Sequence, residues 1–440
     1  MKILFISLGC DKNLADSETM LGLLASRGYQ IVDTEEDADV IIVNTCCFIH
    51  DAMEESIETI LQMAEYKKSG SLKALIVTGC MAERYREEIT KEIPEVDAVL
   101  GTASYGHILD AVDGALAGQS YLKMEPLDTL PLVNTHRMVT TGGHYAYLKI
   151  AEGCDKHCTY CIIPKLRGNF RSVPMEHLLR EAKQLADDGV KEINLVAQET
   201  TLYGKDLYGE KKLPELLRRL CKIGGIRWIR ILYCYPEEIT EELIQTIKEE
   251  PKICHYLDLP IQHASDDVLK RMGRRTSKEE LIHIISRIRE EIPDITLRTT
   301  LITGFPGESK EQHEELMDFV DEMAFDRLGV FTYSAEDGTP AAQMPDQVEE
   351  SVKEARRAEL MELQQEIAFD QAEQMIGREV LVMIEGKVAD ENAYVGRTYK
   401  DAPNVDGLIF VNTDTELLSG DFAKVRVTGA CEYDLIGELM

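Results

Sequence analysis

No apolar run in this chain approaches the ~18 residues that a membrane-spanning helix needs. The opening MKILFISLG has one lysine and a short apolar stretch without a small-residue cleavage site, so no signal peptide is expected. Basic charge is scarce as well: 48 Lys and Arg face 79 Asp and Glu, a formal net charge of −31. Such a surface is repelled by phosphate backbones unless it keeps a local basic groove, and it favours a basic or neutral partner. Internal repeats and low-complexity tracts are absent. The eleven cysteines are an odd number in a chain without secretory features, which argues against a disulfide framework. They read as reduced thiols of a cytoplasmic protein, serving metal or core. At 440 residues, with 44% hydrophobic and 29% charged, the chain is globular and too long for one core.

Six of the cysteines form two trios. One is tight, Cys154, Cys158 and Cys161 in AEGCDKHCTYC; the other, Cys10, Cys46 and Cys80, is spread along the chain. Thiolates select zinc, copper(I) or iron–sulfur clusters. Three protein ligands leave a metal centre open, which catalysis needs and structural staples avoid. The C-x-x-x-C-x-x-C spacing lets one loop grip one cluster. It is not a zinc-finger spacing, which sets a second pair at a distance. His157 lies between two ligand positions and is expected to point outward rather than ligate.

Residues 1–118 alternate short β-rich runs (KILFISLG, DVIIVNT, KALIVTG, AVLGTA) with helical patterns near 17–28, 51–68, 82–93 and 106–117. That alternation implies a doubly wound α/β domain with a parallel sheet. Ligands collect outside the carboxyl ends of such strands. Cys10, Cys46 and Cys80 each follow a strand end, so they are expected to meet in one site. The alternative is three unrelated buried cysteines. That alternative explains Cys47, Cys221 and Cys431 but not one placement repeated three times.

Residues 119–143 read as a linker. Residues 144–345 hold six strand candidates (YAYLKIA, EINLVAQ, RWIRILY, HYLDLPI, ITLRTTLIT, RLGVFTYS), pointing to a partial β/α barrel whose working face lies at the strand C-termini. The tight trio follows the first of them. Residues 346–375 form a polar connecting helix, and 376–440 turn to short strands of a small all-β barrel or sandwich.

The tight loop after a strand, with LGCDKNLADSE, NTCCFI and VTGCMAERY, resembles the radical S-adenosylmethionine methylthiotransferase family over nearly the whole chain. CDKNLADSE, AEGCDKHCTYCIIPKLRG, LDLPIQHASDDVLKRMGR and GRTYKDAPNVDG are most similar to its RimO type. That resemblance implies a C-terminal TRAM barrel and methylthiolation of an aspartate β-carbon in small-subunit ribosomal protein twelve. The MiaB type, which modifies tRNA adenosine, is the alternative. The resemblance to the family implies two [4Fe–4S] clusters, each with three Cys ligands, S-adenosylmethionine, and an electron donor such as flavodoxin or ferredoxin. One cluster falls to Cys154, Cys158 and Cys161, for reductive cleavage of S-adenosylmethionine. The other falls to Cys10, Cys46 and Cys80, for holding the sulfur. The last domain carries six basic residues (Arg378, Lys387, Arg397, Lys400, Lys424, Arg426) against twelve acidic ones, which suits a basic protein better than RNA.

Further candidates follow. In LITGFPGE, Gly304 and Gly307 would let backbone approach a ligand. A phosphate loop is excluded, because no G-K-[ST] follows Gly307. The resemblance puts this turn and VAQET near S-adenosylmethionine, making Gln198 and Glu199 contacts, against an ordinary turn and helix cap. Tyr160 touches adenine or packs the barrel mouth. Lys165, Arg167 and Arg171 read as a solvated basic loop. Gln262 and His263 read as strand-end and core residues.

Overall fold

The computed structural model describes residues 1–70, 72–133, 135–389 and 391–440. β1 (Lys2–Ser7), β2 (Gln30–Val32), β3 (Val40–Thr45), β4 (Ala74–Gly79), β5 (Ala98–Leu100) and β6 (Tyr121–Lys123) form a parallel sheet in the order β2-β1-β3-β4-β5-β6. β3 and β4 read VIIVNT and ALIVTG and are buried along their whole length. Continuous apolar runs of this kind belong to strands covered on both faces. Val40 and Ile42 pack under the helices Asp11–Ser26 and Ile108–Leu116, while Ile41 and Val43 pack under His50–Lys68. That is the two-residue alternation of a strand.

β6 corrects the expected linker. Its three residues pair with β5 in the register Ala98↔Tyr121, so the sheet runs past residue 118. A three-residue edge strand is too short to carry a periodic signal. The segment behind it is also tied down: buried Arg137 pairs with Glu18 and Glu181, each at 2.7 Å. Asn134, within the same segment, lies outside the described residues.

Next come β7 (Tyr145–Lys149), β8 (Ala151–Glu152), β9 (Arg171–Ser172), β10 (Glu192–Val196), β11 (Trp228–Ile231), β12 (Ile253–Asp258), β13 (Thr296–Thr303) and β14 (Arg327–Thr332). β8 and β9 pair as a short ribbon. The other six form an open parallel sheet, β14-β13-β12-β11-β10-β7, which is the expected partial β/α barrel. Ala146, Leu148, Ile229 and Ile231 bury against the helical layer. Tyr145, Tyr147, Trp228 and Tyr256 face the opposite way, where Leu14 and the C-terminal residues Met383 and Ala402 meet them.

The helix Glu350–Glu373 leads to β15 (Glu379–Lys387), β16 (Ala393–Arg397), β17 (Ile409–Asn412), β18 (Phe422–Cys431) and β19 (Asp434–Leu439), a closed barrel. The loop after β16 explains the motif GRTYKDAPNVDG: it docks this barrel onto the aromatic face. Asn404 Nδ2 donates to Tyr145 Oη at 2.9 Å, Tyr256 Oη donates to Asp406 at 2.7 Å, and Arg327 pairs with Asp401. Fully buried Glu192 accepts from Arg230 at 2.9 Å and from Arg397 at 2.7 Å. Charges taken this far from water persist only when paired and hydrogen-bonded.

Candidate active site

β1, β3 and β4 are neighbours in the first sheet, and each is followed by a cysteine of the dispersed trio, Cys46 and Cys80 directly and Cys10 after a short loop. Cys10 caps the helix Asp11–Ser26, Cys46 follows β3 and is buried, and Cys80 opens the helix Cys80–Tyr85. The order reverses between β1 and β3, the switch point where such sheets bind ligands. Gly9 (φ +85°) lets the first loop press on the second: an added Cβ would sit 2.7 Å from Cys46 Cβ and 3.0 Å from its Sγ. Burial, then the neighbouring Cys80 and Cys10 thiols, push Cys46 up to about 12. Burial also raises Cys80, against the Arg167 guanidinium 3.6 Å from its sulfur.

The tight trio lies past β8, at the carboxyl edge of the second sheet. Its loop is pinned by Cys154 N–H donating to Gly168 O (3.1 Å), Thr159 N–H to Met272 O (2.9 Å) and Cys161 N–H to Cys158 O (3.0 Å). His157 is exposed in the left-handed region (φ 53°), in line with an outward direction. Burial raises Cys154 to about 11 and Cys161 to about 12. Thiols this reluctant to ionise become ligands when a metal takes the proton's place, so loading couples to proton release. Among the described residues, no three His, Cys, Asp or Glu side chains close on one point as a single ion demands. Cys46 feels the charges of Cys80 and Cys10, and Cys161 those of Cys158 and Cys154, so each trio lies within electrostatic reach of its own members. Thiolate donors of this kind suit an iron–sulfur cluster. Cys47 packs in the core beneath the helix His50–Lys68, Cys221 packs against the central core, and Cys431 is exposed.

Arg167 overturns the solvated-loop reading. It is 2% exposed, and its guanidinium reaches Asp16 (2.8 Å), Glu152 (3.1 Å), Asn13 Oδ1 and the Cys80 sulfur. Lys149 completes the lattice, bonding Asp16 and Glu152. Glu152 lies two residues before Cys154, so one ion-paired seam joins the two trios. Arg171 is also buried, bonding Arg167 O at 3.0 Å; Lys165 alone is exposed. Spacing signals a face, and Arg167 turns inward because Asp16 of the first domain and Glu152 of its own await it there.

Gln198 donates to Glu152 (2.7 Å) and accepts the Gly153 N–H (2.8 Å), placing it directly behind the tight loop. Tyr160 is half-buried, edge-on to Phe305 at 6.5 Å. Gly304 and Gly307 do not open onto free space: both sit at positive φ, an added Cβ at Gly304 would collide with the Lys353 stem, and one at Gly307 would meet the movable end of Arg271. His263 is a core residue. Its Nδ1 accepts from the Ser265 N–H at 3.0 Å, and burial lowers it to about 3. Gln262 bridges to β13, as a strand-end residue does. Sequence reasoning missed Tyr235, whose hydroxyl is 3.8 Å from Cys158 Sγ, and Arg274, 4.3 Å over the Tyr235 ring. Neither stands in a recognisable spacing.

Glu199 is fully buried, with one oxygen bonded by Thr201 N–H (2.9 Å) and the Thr201 hydroxyl, and the other unpartnered. Burial pushes it up to about 7. A raised carboxyl binds its proton more tightly in the folded state. Its cost is therefore absent below about pH 4.5, grows with pH, and is complete above about 7. Glu199→Gln should stabilise the protein by roughly 3 kcal/mol at pH 8 and not at pH 4.5. Denaturant titrations at the two pH values check this.

An open β/α sheet presenting a C-x-x-x-C-x-x-C loop at its carboxyl edge defines a radical S-adenosylmethionine protein, and residues 148–320 match the radical SAM superfamily. Residues 2–101 match the uncharacterized protein family UPF0004, and residues 376–440 the TRAM domain. The chain is 66% identical to the ribosomal protein uS12 methylthiotransferase RimO of Lachnoclostridium phytofermentans over 437 residues, 99% of each chain. It is 49% identical to that of Clostridioides difficile over 440 residues, 100% of this chain and 99% of the other. Among solved structures it resembles the radical S-adenosylmethionine methyltransferase TsrM from Kitasatospora setae (TM-score 0.54, 12% identity, 88% of this chain and 79% of that one). The cobalamin-dependent radical enzyme OxsB is similar as well (TM-score 0.51, 14% identity, 78% of this chain and 54% of that one). At such identities these two show the fold alone. The chain belongs to the RimO family of ribosomal protein uS12 methylthiotransferases.

Proposed function

We propose that this chain methylthiolates the β-carbon of an aspartate in ribosomal protein uS12. The observation that carries the reading is the pair of three-thiol sites joined by the Arg167 seam. One site alone would serve cleavage of S-adenosylmethionine; the second gives the sulfur a place beside it. Cys154, Cys158 and Cys161 would hold one [4Fe–4S] cluster, and Cys10, Cys46 and Cys80 the other. When bound, these clusters and S-adenosylmethionine supply the one-electron chemistry and the sulfur that no side chain can provide.

The protein's own part is placement. Gln198 and Glu152 fix the backbone entering the tight loop, while Tyr235 stands against Cys158. Tyr160, Glu199 and the turn from Gly304 to Gly307 lie at the same strand ends and are assigned to S-adenosylmethionine, the turn through its backbone. Arg167, Lys149, Asp16 and Glu152 hold the two domains in one geometry, so proximity is built in rather than achieved at each turnover.

Charge supports a protein substrate over tRNA. Of the six basic residues in the last domain, Arg397 is fully buried and Lys400 bonds Thr296, leaving the acids to dominate the outer surface. A basic ribosomal protein gains on-rate from that field, which an RNA backbone would not. An external electron donor such as flavodoxin or ferredoxin, and a cytoplasmic setting, complete the proposal. No helix among the described residues is long and apolar enough to cross a membrane. Mass spectrometry of uS12 and of tRNA from a deletion strain, with and without the gene restored, is the test. The methylthio group should vanish from uS12 and return; its loss from tRNA alone would overturn the reading.

A further inference from the structure

Four lysines are buried among the described residues: Lys12, Lys149, Lys156 and Lys353. Three have carboxylates within reach. Lys149 bonds Asp16 and Glu152, Lys156 bonds Glu237 and Glu238, and Lys353 bonds Glu350. Lys12 is 6% exposed and has no hydrogen-bond or ion-pair partner among the described residues. Its Nζ instead stands 3.3 Å from the centre of the Tyr233 ring. A π-face offsets part of the cost of desolvating an ammonium but leaves its donors unfilled.

The mount is rigid. Tyr233 follows β11 in the left-handed region (φ 60°), an uncommon state for an aromatic residue that clusters at ligand sites. Its N–H donates to Asp258 Oδ2 at 3.0 Å and its hydroxyl to Asp11 Oδ2 at 3.3 Å, which hold the ring under the ammonium. Two residues on, Tyr235 reaches the Cys158 sulfur at 3.8 Å. A three-residue stretch thus runs from the neighbour of Cys10 to a member of the tight trio. Lys12 also lies in the first turn of the helix Asp11–Ser26, whose N-terminal end favours an anion.

We infer that the Lys12 ammonium receives a carboxylate in the space between the trios, and that this carboxylate is the side chain of the substrate aspartate. The inference rests on the function proposed above. The methionyl carboxylate of S-adenosylmethionine is the other source of the same chemistry. Lys12 stands two residues after Cys10, on the side assigned to sulfur, which favours the aspartate.

The test measures binding of a fluorescent uS12 loop peptide, with its aspartate or with asparagine in that place, to the reconstituted holoenzyme. Lys12→Met should weaken the aspartate peptide about tenfold or more and leave the asparagine peptide within about twofold, with Lys12→Arg recovering part of the loss. The asparagine peptide also reports that the variant is folded. Unchanged discrimination between the peptides, equal weakening of both, or a loss confined to S-adenosylmethionine binding would each overturn the inference. If Lys12→Met leaves discrimination intact while the native enzyme modifies the peptide, only the role of Lys12 fails. A native enzyme that ignores the peptide and methylthiolates tRNA ends both readings.

Discussion

Alanine in place of any one of Cys154, Cys158 and Cys161 should cut the iron taken up on anaerobic reconstitution from about eight to about four per chain. Formation of 5′-deoxyadenosine should disappear with it. Alanine at Cys10, Cys46 or Cys80 should halve iron equally, leave 5′-deoxyadenosine formation intact, and eliminate the methylthiolated product. The contrast follows from the two addresses: each trio lies at the edge of its own sheet. Iron analysis, absorption and product chromatography on the six variants would check this. Full iron in any of them, or one identical defect in all six, would refute the assignment.

The second large effect concerns Arg167. Arg167→Met removes one cation from a lattice that holds Asp16 and Glu152, both buried, with Lys149 alone left to balance them. Breaking a buried pair on one side costs about 3–5 kcal/mol, because the stranded charge stays out of water. That is a large share of the stability of an ordinary domain. Thermal unfolding should show a fall of several degrees, concentrated in the transition that separates the first and second sheets. Arg167→Lys should recover part of it, since a point charge cannot span Asp16, Glu152 and Asn13 at once. An unchanged transition would mean the seam contributes nothing to domain docking.

Strands were legible wherever burial was two-sided or alternating. All six strands of the central sheet and both core strands of the first came from apolar runs of ordinary length. β2, β6 and the ribbon of β8 and β9 escaped, being strands of only two or three residues, too short to carry a period. The glycines of LITGFPGE were legible as a turn but not as packing, because what fills the space above a missing Cβ belongs to distant elements, Lys353 and Arg271. Arg167 and Arg171 looked solvated for the same reason, whereas Lys165 is exposed as read.

By itself the sequence determined the local chemistry: three thiols on one short loop, three more each placed after a strand, and a surplus of acid over the surface. Those properties depend on near neighbours and on composition, which a linear string records in full. Only the tertiary structure decided where the charges go. Arg167 meets Asn13 across 154 residues, and Lys12 meets Tyr233 across a domain boundary. Periodicity reports that a side chain faces inward, but the partner waiting inside comes from another element, and pairing there is decided by desolvation.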